Sequence, residues 1–374
     1  AVSDLIGCSR RGTTISLEGT ASSSMKNFSQ LIDSFGIGII FLLLCLFFGT
    51  QSSLFLTRQN FSNIFIQTSV NIIIATGMTF VISAAEIDLS VGSLLAVCGM
   101  ITAFLLQIDP ETGLNFPMRA ANAVLAHVPD LLPGAAAWWI VSGGVFLFLA
   151  LLPGLLGGGL AGFIVVRFGV PSFIVTLGFM MIHRGLARYL TNAAPVTGMP
   201  PAFMVIGMGE WFSLSGFRVT CSAVIALGIV LAGVLLMAFT RFGRHVLATG
   251  GNPQASYLSG VPVRRTRFLV FVVSGVCTAI AAIIQTSRLF IGDPNAGEGY
   301  ELDAIAAVII GGTSLFGGKG TVIGTLFGAL IIGVLRNGLD LMGVTDHLKQ
   351  MVIGGMIIFA VLLDYYRRKL YRST

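Results

Sequence analysis

The sequence predicts an all-α integral membrane protein, and three observations carry that reading. Only 10% of its 374 residues are charged, against about 25% in soluble domains, while 55% are hydrophobic and the mean hydropathy is +0.90. Apolar runs of roughly 18 residues or more recur along nearly the whole chain, the length a helix needs to cross a hydrocarbon core about 30 Å thick. These runs do not alternate apolar with polar residues, as the ~10-residue strands of a membrane barrel would. Such a chain takes lipid as its solvent.

The elements follow in chain order. Ala1 to Ser24 is polar, rich in Ser and Thr, and lacks an apolar core of signal-peptide length. Residues 1–24 are therefore expected to be a disordered extension or a cloning artefact ahead of Met25, with one helical membrane domain over 25–374. Hydropathy places about ten spans, at 31–50, 62–84, 88–107, 137–166, 171–190, 219–240, 267–287, 301–312, 321–338 and 347–364. The second and third are parted by Ile87-Asp88-Leu89-Ser90-Val91-Gly92-Ser93, where Asp88 reads as a cap for the helix that follows, or as a group lining a path. In the fourth, Pro153-Gly154 and Gly157-Gly158-Gly159 are expected to kink or break the helix. The fifth carries His183, Arg184 and Arg188, read as a packing histidine and snorkelling arginines, or as a polar patch in a pore. The eighth, 301–312, is short or re-entrant, with Glu301 and Asp303 in its first turn, and Gly311 to Gly320 breaks the hairpin it makes with the ninth. Interrupted segments in both halves of a chain point to a transport path, though ordinary helix hairpins look the same.

Ten spans put both termini on one side. Arg241, Arg244, Arg264, Arg265 and Arg267 flank one loop on that side and Arg367, Arg368, Lys369 and Arg372 form the tail, so the side is cytoplasmic. The same sorting explains the net charge of +6 better than nucleic-acid binding does. On the opposite side lie Asp109, Glu111, Asp130, Glu210, Asp293 and Glu298, and a proline-rich stretch over 107–136. Cys45, Cys98, Cys221 and Cys277 fall in or beside apolar spans and, with Cys8, show no paired spacing, so neither a disulfide framework nor a metal site is expected.

Within the loop at 241–267, Asn252-Pro253-Gln254-Ala255-Ser256-Tyr257-Leu258-Ser259-Gly260 reads as a short capped helix, with Asn252 at the N-cap, Pro253 at the first helical position and Gly260 just past the end. It is too short and polar to span lipid. It is either a solvated turn or an element held by a partner. Gly317-Gly318-Lys319-Gly320-Thr321 falls short of a phosphate loop, because Gly320 rather than Ser or Thr follows the lysine and Thr313 stands where a glycine is needed. The glycines read as a sharp turn and close helix packing, and no ATPase site is expected in this chain. Four scattered histidines, His127, His183, His245 and His347, offer no constellation for an intramembrane enzyme.

Three stretches, IDLSVGSLLA at 87–96, GRHVLATGGNPQASYLSGV at 243–261 and AAVIIGGTSLFGGKGTVIGTLFGALIIGVLRNGL at 306–339, make the chain similar to the ribose-type family of sugar ABC permeases from about Met25 onward. The resemblance implies the permease fold of these importers, a bacterial inner-membrane location and a monosaccharide cargo. It also implies an ABC ATPase partner that carries ATP and Mg, a periplasmic sugar-binding protein and a second permease copy; the chain itself needs no cofactor. In that family the short cytoplasmic helix is the coupling helix, which assigns Gly250, Gly251, Asn252, Pro253, Ala255, Ser259 and Gly260 to ATPase coupling. The family commonly has glycine just before the Ile-Asp pair, where this chain has Glu86.

Neutral sugar needs no strong countercharge, so the path is expected to use weak polar contacts near the first hairpin: Asn71, Thr76, Thr79, Ser83, Glu86, Asp88, Ser90 and Ser93. Interhelical hydrogen bonding is the alternative role for those hydroxyls. The rival to an ABC permease is an ion-gradient-driven secondary transporter or channel, which calls for paired acids deep in several helices.

Overall fold

The computed structural model describes residues 37–109, 111–127, 134–214 and 216–372. The expected extension over 1–24, the start of the first span, Cys8, and Pro110, Pro129, Asp130 and Pro133 of the long loop lie outside the described residues.

The predicted spans lie on helices α1 (Ile37–Gln51), α2 (Arg58–Ser83), α3 (Val91–Leu106), α5 (Gly134–Phe168), α6 (Ser172–Tyr189), α8 (Cys221–Phe239), α11 (Val263–Leu289), α12 (Tyr300–Ile310), α13 (Val322–Leu341) and α14 (Asp346–Arg372). Between them sit α4 (Phe116–His127), α7 (Met204–Met208), α9 (Arg241–Gly251) and α10 (Pro253–Leu258). By length and composition five helices, α2, α5, α8, α11 and α13, are apolar enough to cross a membrane. The others fall short for different reasons: α3 has 16 residues, α6 carries Arg184 and Arg188, and α12 has 11 residues, a rise of only about 16 Å.

Burial orders the helices. In α2, 78% of the most apolar stretch is buried, against 33% in α8, so α2 runs through the middle and α8 lies at the periphery. A helix apolar all round belongs in such a centre. The tightest crossing joins α5 to α11, where a Cβ on Gly154 would strike the Gly275 carbonyl and one on Gly275 the Gly154 carbonyl. Backbones approach this closely in membranes only where side chains are absent.

Several local expectations change. The segment around Pro153 neither breaks nor ends, because α5 is continuous over 35 residues with the proline inside it. The loop at 241–267 is mostly helical: α9 precedes α10, capped by Thr240, whose hydroxyl accepts from the Gly243 N–H at 3.2 Å, and α11 has begun by Val263. Asp88 does not cap α3. Ser90 holds the N-cap position, and the Asp88 carboxylate instead accepts from the Ser90 N–H (3.0 Å), the Ser90 hydroxyl (2.7 Å) and the Ser274 hydroxyl of α11 (3.0 Å). It thus ties the turn to a neighbouring helix. A two-stranded hairpin, β1 (Glu210–Leu214) with β2 (Phe217–Thr220), interrupts the helical pattern. Aromatic and β-branched residues around Gly216 at φ 88° favour it.

Candidate functional site

The three stretches singled out in the sequence meet at one end of the bundle. The turn after α2, the turn after α12 and the end of α9 are far apart in the chain, yet they touch through their backbones. The Gly318 N–H donates to the Ser83 carbonyl at 3.0 Å. A Cβ on Gly250 would strike that same carbonyl and lie 2.7 Å from the Gly318 nitrogen, and a Cβ on Gly317 would meet the Ala85 Cβ at 2.7 Å. Ala85 holds a left-handed backbone at φ 62° in this junction. Beside it the buried carboxylate of Glu86, 3% exposed, pairs with Arg267 in the first turns of α11. One node therefore links α2, α9, α11 and the turn before α13.

From this node α10 projects outward. Asn252 closes α9 and opens α10, its side chain accepting from the Ala255 N–H at 2.9 Å. Ser256, the buried residue of α10, donates its hydroxyl to the Ala248 carbonyl of α9 at 2.8 Å. Gly260 ends the element at φ 81°. The remainder is open, and Tyr257 and Leu258 at its tip are 72% and 80% exposed. They set an aromatic and a leucine on an otherwise polar turn.

A polar cavity of about 670 Å³ opens away from the node, within the size range of small-molecule sites. Asn63, Gln67 and Asn71, one turn apart on α2, form one wall; Met208, Arg288, Tyr300, Arg336, Asp340, Lys349 and Gln350 supply the rest. Arg336 grips Asp303 at 2.8 and 2.6 Å. Lys349 pairs with Asp340. Among the described residues Arg288 meets no carboxylate; it donates to Gln285 Oε1 at 2.9 Å and to the Ile66 carbonyl at 3.3 Å. The surface is thus amides, a phenol and mostly neutralised charges, suited to a hydroxyl-rich ligand.

Among the residues expected to line a path, Asn71 borders this cavity. Thr76 and Thr79 lie further along α2 with their hydroxyls on the Ile72 and Ala75 carbonyls, and Thr79 also meets Thr325 of α13 at 2.8 Å. Ser83 and Glu86 belong to the node. Asp88, Ser90 and Ser93 form the buried turn into α3, the Ser93 hydroxyl donating to the Ser90 carbonyl at 2.9 Å. Of the expected coupling residues, Gly250 and Gly251 sit against Gly318, and Asn252, Pro253, Ala255, Ser259 and Gly260 build or flank α10. Sequence reasoning missed Tyr257 and Leu258, whose signal was apolar bulk on an otherwise polar turn, and Gln67, Arg288 and Arg336, which distant segments bring together. His183 is buried against Phe179 with Nδ1 unpartnered, while Arg184 and Arg188 reach carbonyls of Pro294 and Ala296 and the Asn295 side chain. Among the described residues no group of His, Cys, Asp or Glu could hold a metal ion.

A helical membrane bundle with a polar cavity and a projecting capped helix joined to its interior defines a multi-pass transport permease. The chain belongs to the family described as branched-chain amino acid transport system / permease component, whose pattern matches residues 60–361. Its relatives include the ribose import permease protein of Escherichia coli K12, 40% identical over 328 residues, covering 87% of this chain and 92% of the relative. The D-allose transport system permease protein of the same strain is 36% identical over 355 residues, covering 94% and 98%. The xylose transport system permease protein is 33% identical over 362 residues, covering 88% and 90%. No solved structure matches the chain significantly.

Proposed function

We propose that this chain is the membrane-spanning permease subunit of an ABC importer that carries a monosaccharide across the bacterial inner membrane. A separate ATPase subunit binds ATP and Mg, a periplasmic sugar-binding protein delivers the cargo, and a second permease copy completes the pathway in the lipid bilayer. Both termini are cytoplasmic. The observation that carries the reading is the node: α10, displayed with Tyr257 and Leu258 exposed, is fixed through Gly250 and Asn252 to the ends of the two interrupted hairpins. Motion of an ATPase cleft that grips α10 would reach α2 and the turn before α13 with little slack, because backbone presses on backbone there.

The cavity is the cargo's station and α2 its rail. Sugar hydroxyls meet Asn63, Gln67, Asn71, Arg288 and Tyr300. Beyond them the path follows α2 past Thr76, Thr79 and Ser83 to Glu86, Asp88, Ser90 and Ser93; Asn71 to Ser83 spans about 18 Å. The Thr76 and Thr79 hydroxyls keep their protons on carbonyls of α2 and offer only unused lone pairs, so their contacts are weak and release is fast. Alternating access then needs the node to open as the outer cavity closes. The sugar relatives support a monosaccharide over the amino acid in the family's description, since three of them align along most of this chain.

The ion-gradient alternative has less support, because Asp340 in the cavity wall and Asp303 behind Arg336 each have a cation partner. Uptake of labelled ribose, allose, xylose and leucine into cells expressing the whole transporter separates the possibilities. Uptake of one sugar that stops on ATP depletion and survives an uncoupler is the expected result. Leucine uptake, or sugar uptake abolished by the uncoupler while ATP is maintained, would contradict it.

A further inference from the structure

We propose that the crevice between the end of α5 and the start of α11 is a binding site for an anionic phospholipid, with Arg167 and Arg264 on the headgroup phosphate. Two adjoining cavities of about 320 and 340 Å³ share Val166, Arg167 and Arg264. The first extends past the Phe168–Gly169 turn to Arg267, while the second is walled by Phe163, Phe268 and Arg265. Three arginines border each compartment, with Arg167 and Arg264 common to both, and the second has an apolar wall of Phe163, Val166 and Phe268. Guanidinium groups beside an apolar wall are the division an amphiphile requires.

The charge is one-sided. Among the described residues, the ion pairs engage Arg267 alone of these four arginines, through Glu86. Arg167, Arg264 and Arg265 are exposed and meet no carboxylate among the described residues. No acid lines either cavity, so nothing there would receive the ammonium of a zwitterionic headgroup. The apolar wall continues along α5, where Leu156, Leu160 and Phe163 are each 52% exposed and follow one another about a turn apart toward Arg167. Residues spaced in this way share a helix face. That ridge seats an acyl chain, and a soluble phosphate would leave it uncovered. Basic pockets between helices at a membrane face have this ligand chemistry in general.

The floor is rigid, because Gly162 packs on Phe271, a Cβ there lying 2.9 Å from that of Phe271. The bound headgroup therefore braces the start of α11, which residues 259–262 join to α10. The proposal rests on α5 and α11 spanning the bilayer and not on the identity of the cargo.

The test uses the intact permease complex in nanodiscs of phosphatidylcholine doped with spin-labelled phosphatidylglycerol or with spin-labelled phosphatidylcholine. The unaltered protein is expected to retain phosphatidylglycerol preferentially, and millimolar inorganic phosphate is expected not to displace it. R167Q and R264Q should each weaken retention ~5-fold, whereas R241Q, on the same end but outside both cavities, should leave it unchanged. Equal retention of the two lipids by the unaltered protein overturns the proposal without recourse to any variant. So does displacement by inorganic phosphate, which would mark a soluble-anion site, or retention by R167Q and R264Q equal to that of R241Q.

Discussion

Glu86 is a carboxylate almost fully removed from water, and its stability depends on one arginine. Removing a partner from a buried pair is costly, but Arg267 is 36% exposed, so Arg267→Met is expected to destabilise the solubilised protein by about 1–3 kcal/mol, short of the full buried-pair cost. A double-mutant cycle with Glu86→Gln, read by thermal unfolding, checks this; additive losses would show that the two side chains do not interact. Ala85, next to it, holds φ 62°, a conformation that disfavours any Cβ by about 1–2 kcal/mol. Ala85→Gly is therefore expected to raise stability by about 0.5–1 kcal/mol after the added unfolded-chain entropy is counted. At the cavity, Arg288 donates to Gln285 and to the Ile66 carbonyl and pairs with no acid among the described residues. Arg288→Gln is expected to raise the KM for sugar uptake about tenfold with little change in maximal rate, since a lost hydrogen bond to a charged donor is worth roughly 1.5 kcal/mol.

The elements show why some features are legible in a sequence and others are not. Long apolar runs mark α2, α5, α8, α11 and α13, because the membrane imposes length and composition on each helix separately. The cap of α10 is equally local: Asn252, Pro253 and Gly260 lie within nine residues and specify its start and stop without help from the rest of the chain. By contrast, α9 has an apolar–polar pattern that a loop between two basic flanks conceals, and the β1–β2 hairpin is too short to announce itself. The cavity was illegible for a different reason. Gln67, Arg288 and Arg336 acquire a common role only when α2, α11 and α13 pack, and Asp303 could not be matched to Arg336 across 33 residues by spacing. Asp88 misled because an acid just ahead of a helix suits a cap, whereas Ser274 on α11 offers its hydroxyl from another element. At this scale α10 is the element to test. Tyr257→Ala and Leu258→Ala are each expected to weaken ATPase binding about tenfold, the loss typical of an exposed anchor buried at an interface. Surface-plasmon titration of the solubilised permease against the ATPase measures it.

For the whole molecule, one arrangement connects the separate sites. Helix α2 runs from the polar cavity to the node, and the node is where α9, α11 and the turn after α12 converge. A force applied to α10 thus has a direct route to the helix that lines the cavity. Gly250→Val should obstruct that route, since even a Cβ would strike the Ser83 carbonyl. ATP hydrolysis is then expected to continue while sugar uptake falls at least tenfold, a separation visible when both rates are measured on the same proteoliposomes.

The most direct test of coupling through α10 is affinity purification of the chain from its native membrane in mild detergent, with mass spectrometry of what accompanies it, beside a variant carrying Asn252→Arg and Pro253→Arg. An ABC ATPase recovered with the unaltered chain and lost from the variant is the expected result. A chain that purifies without any ATPase, while its transport persists after ATP depletion, would contradict the assignment and point to a transporter driven by an ion gradient.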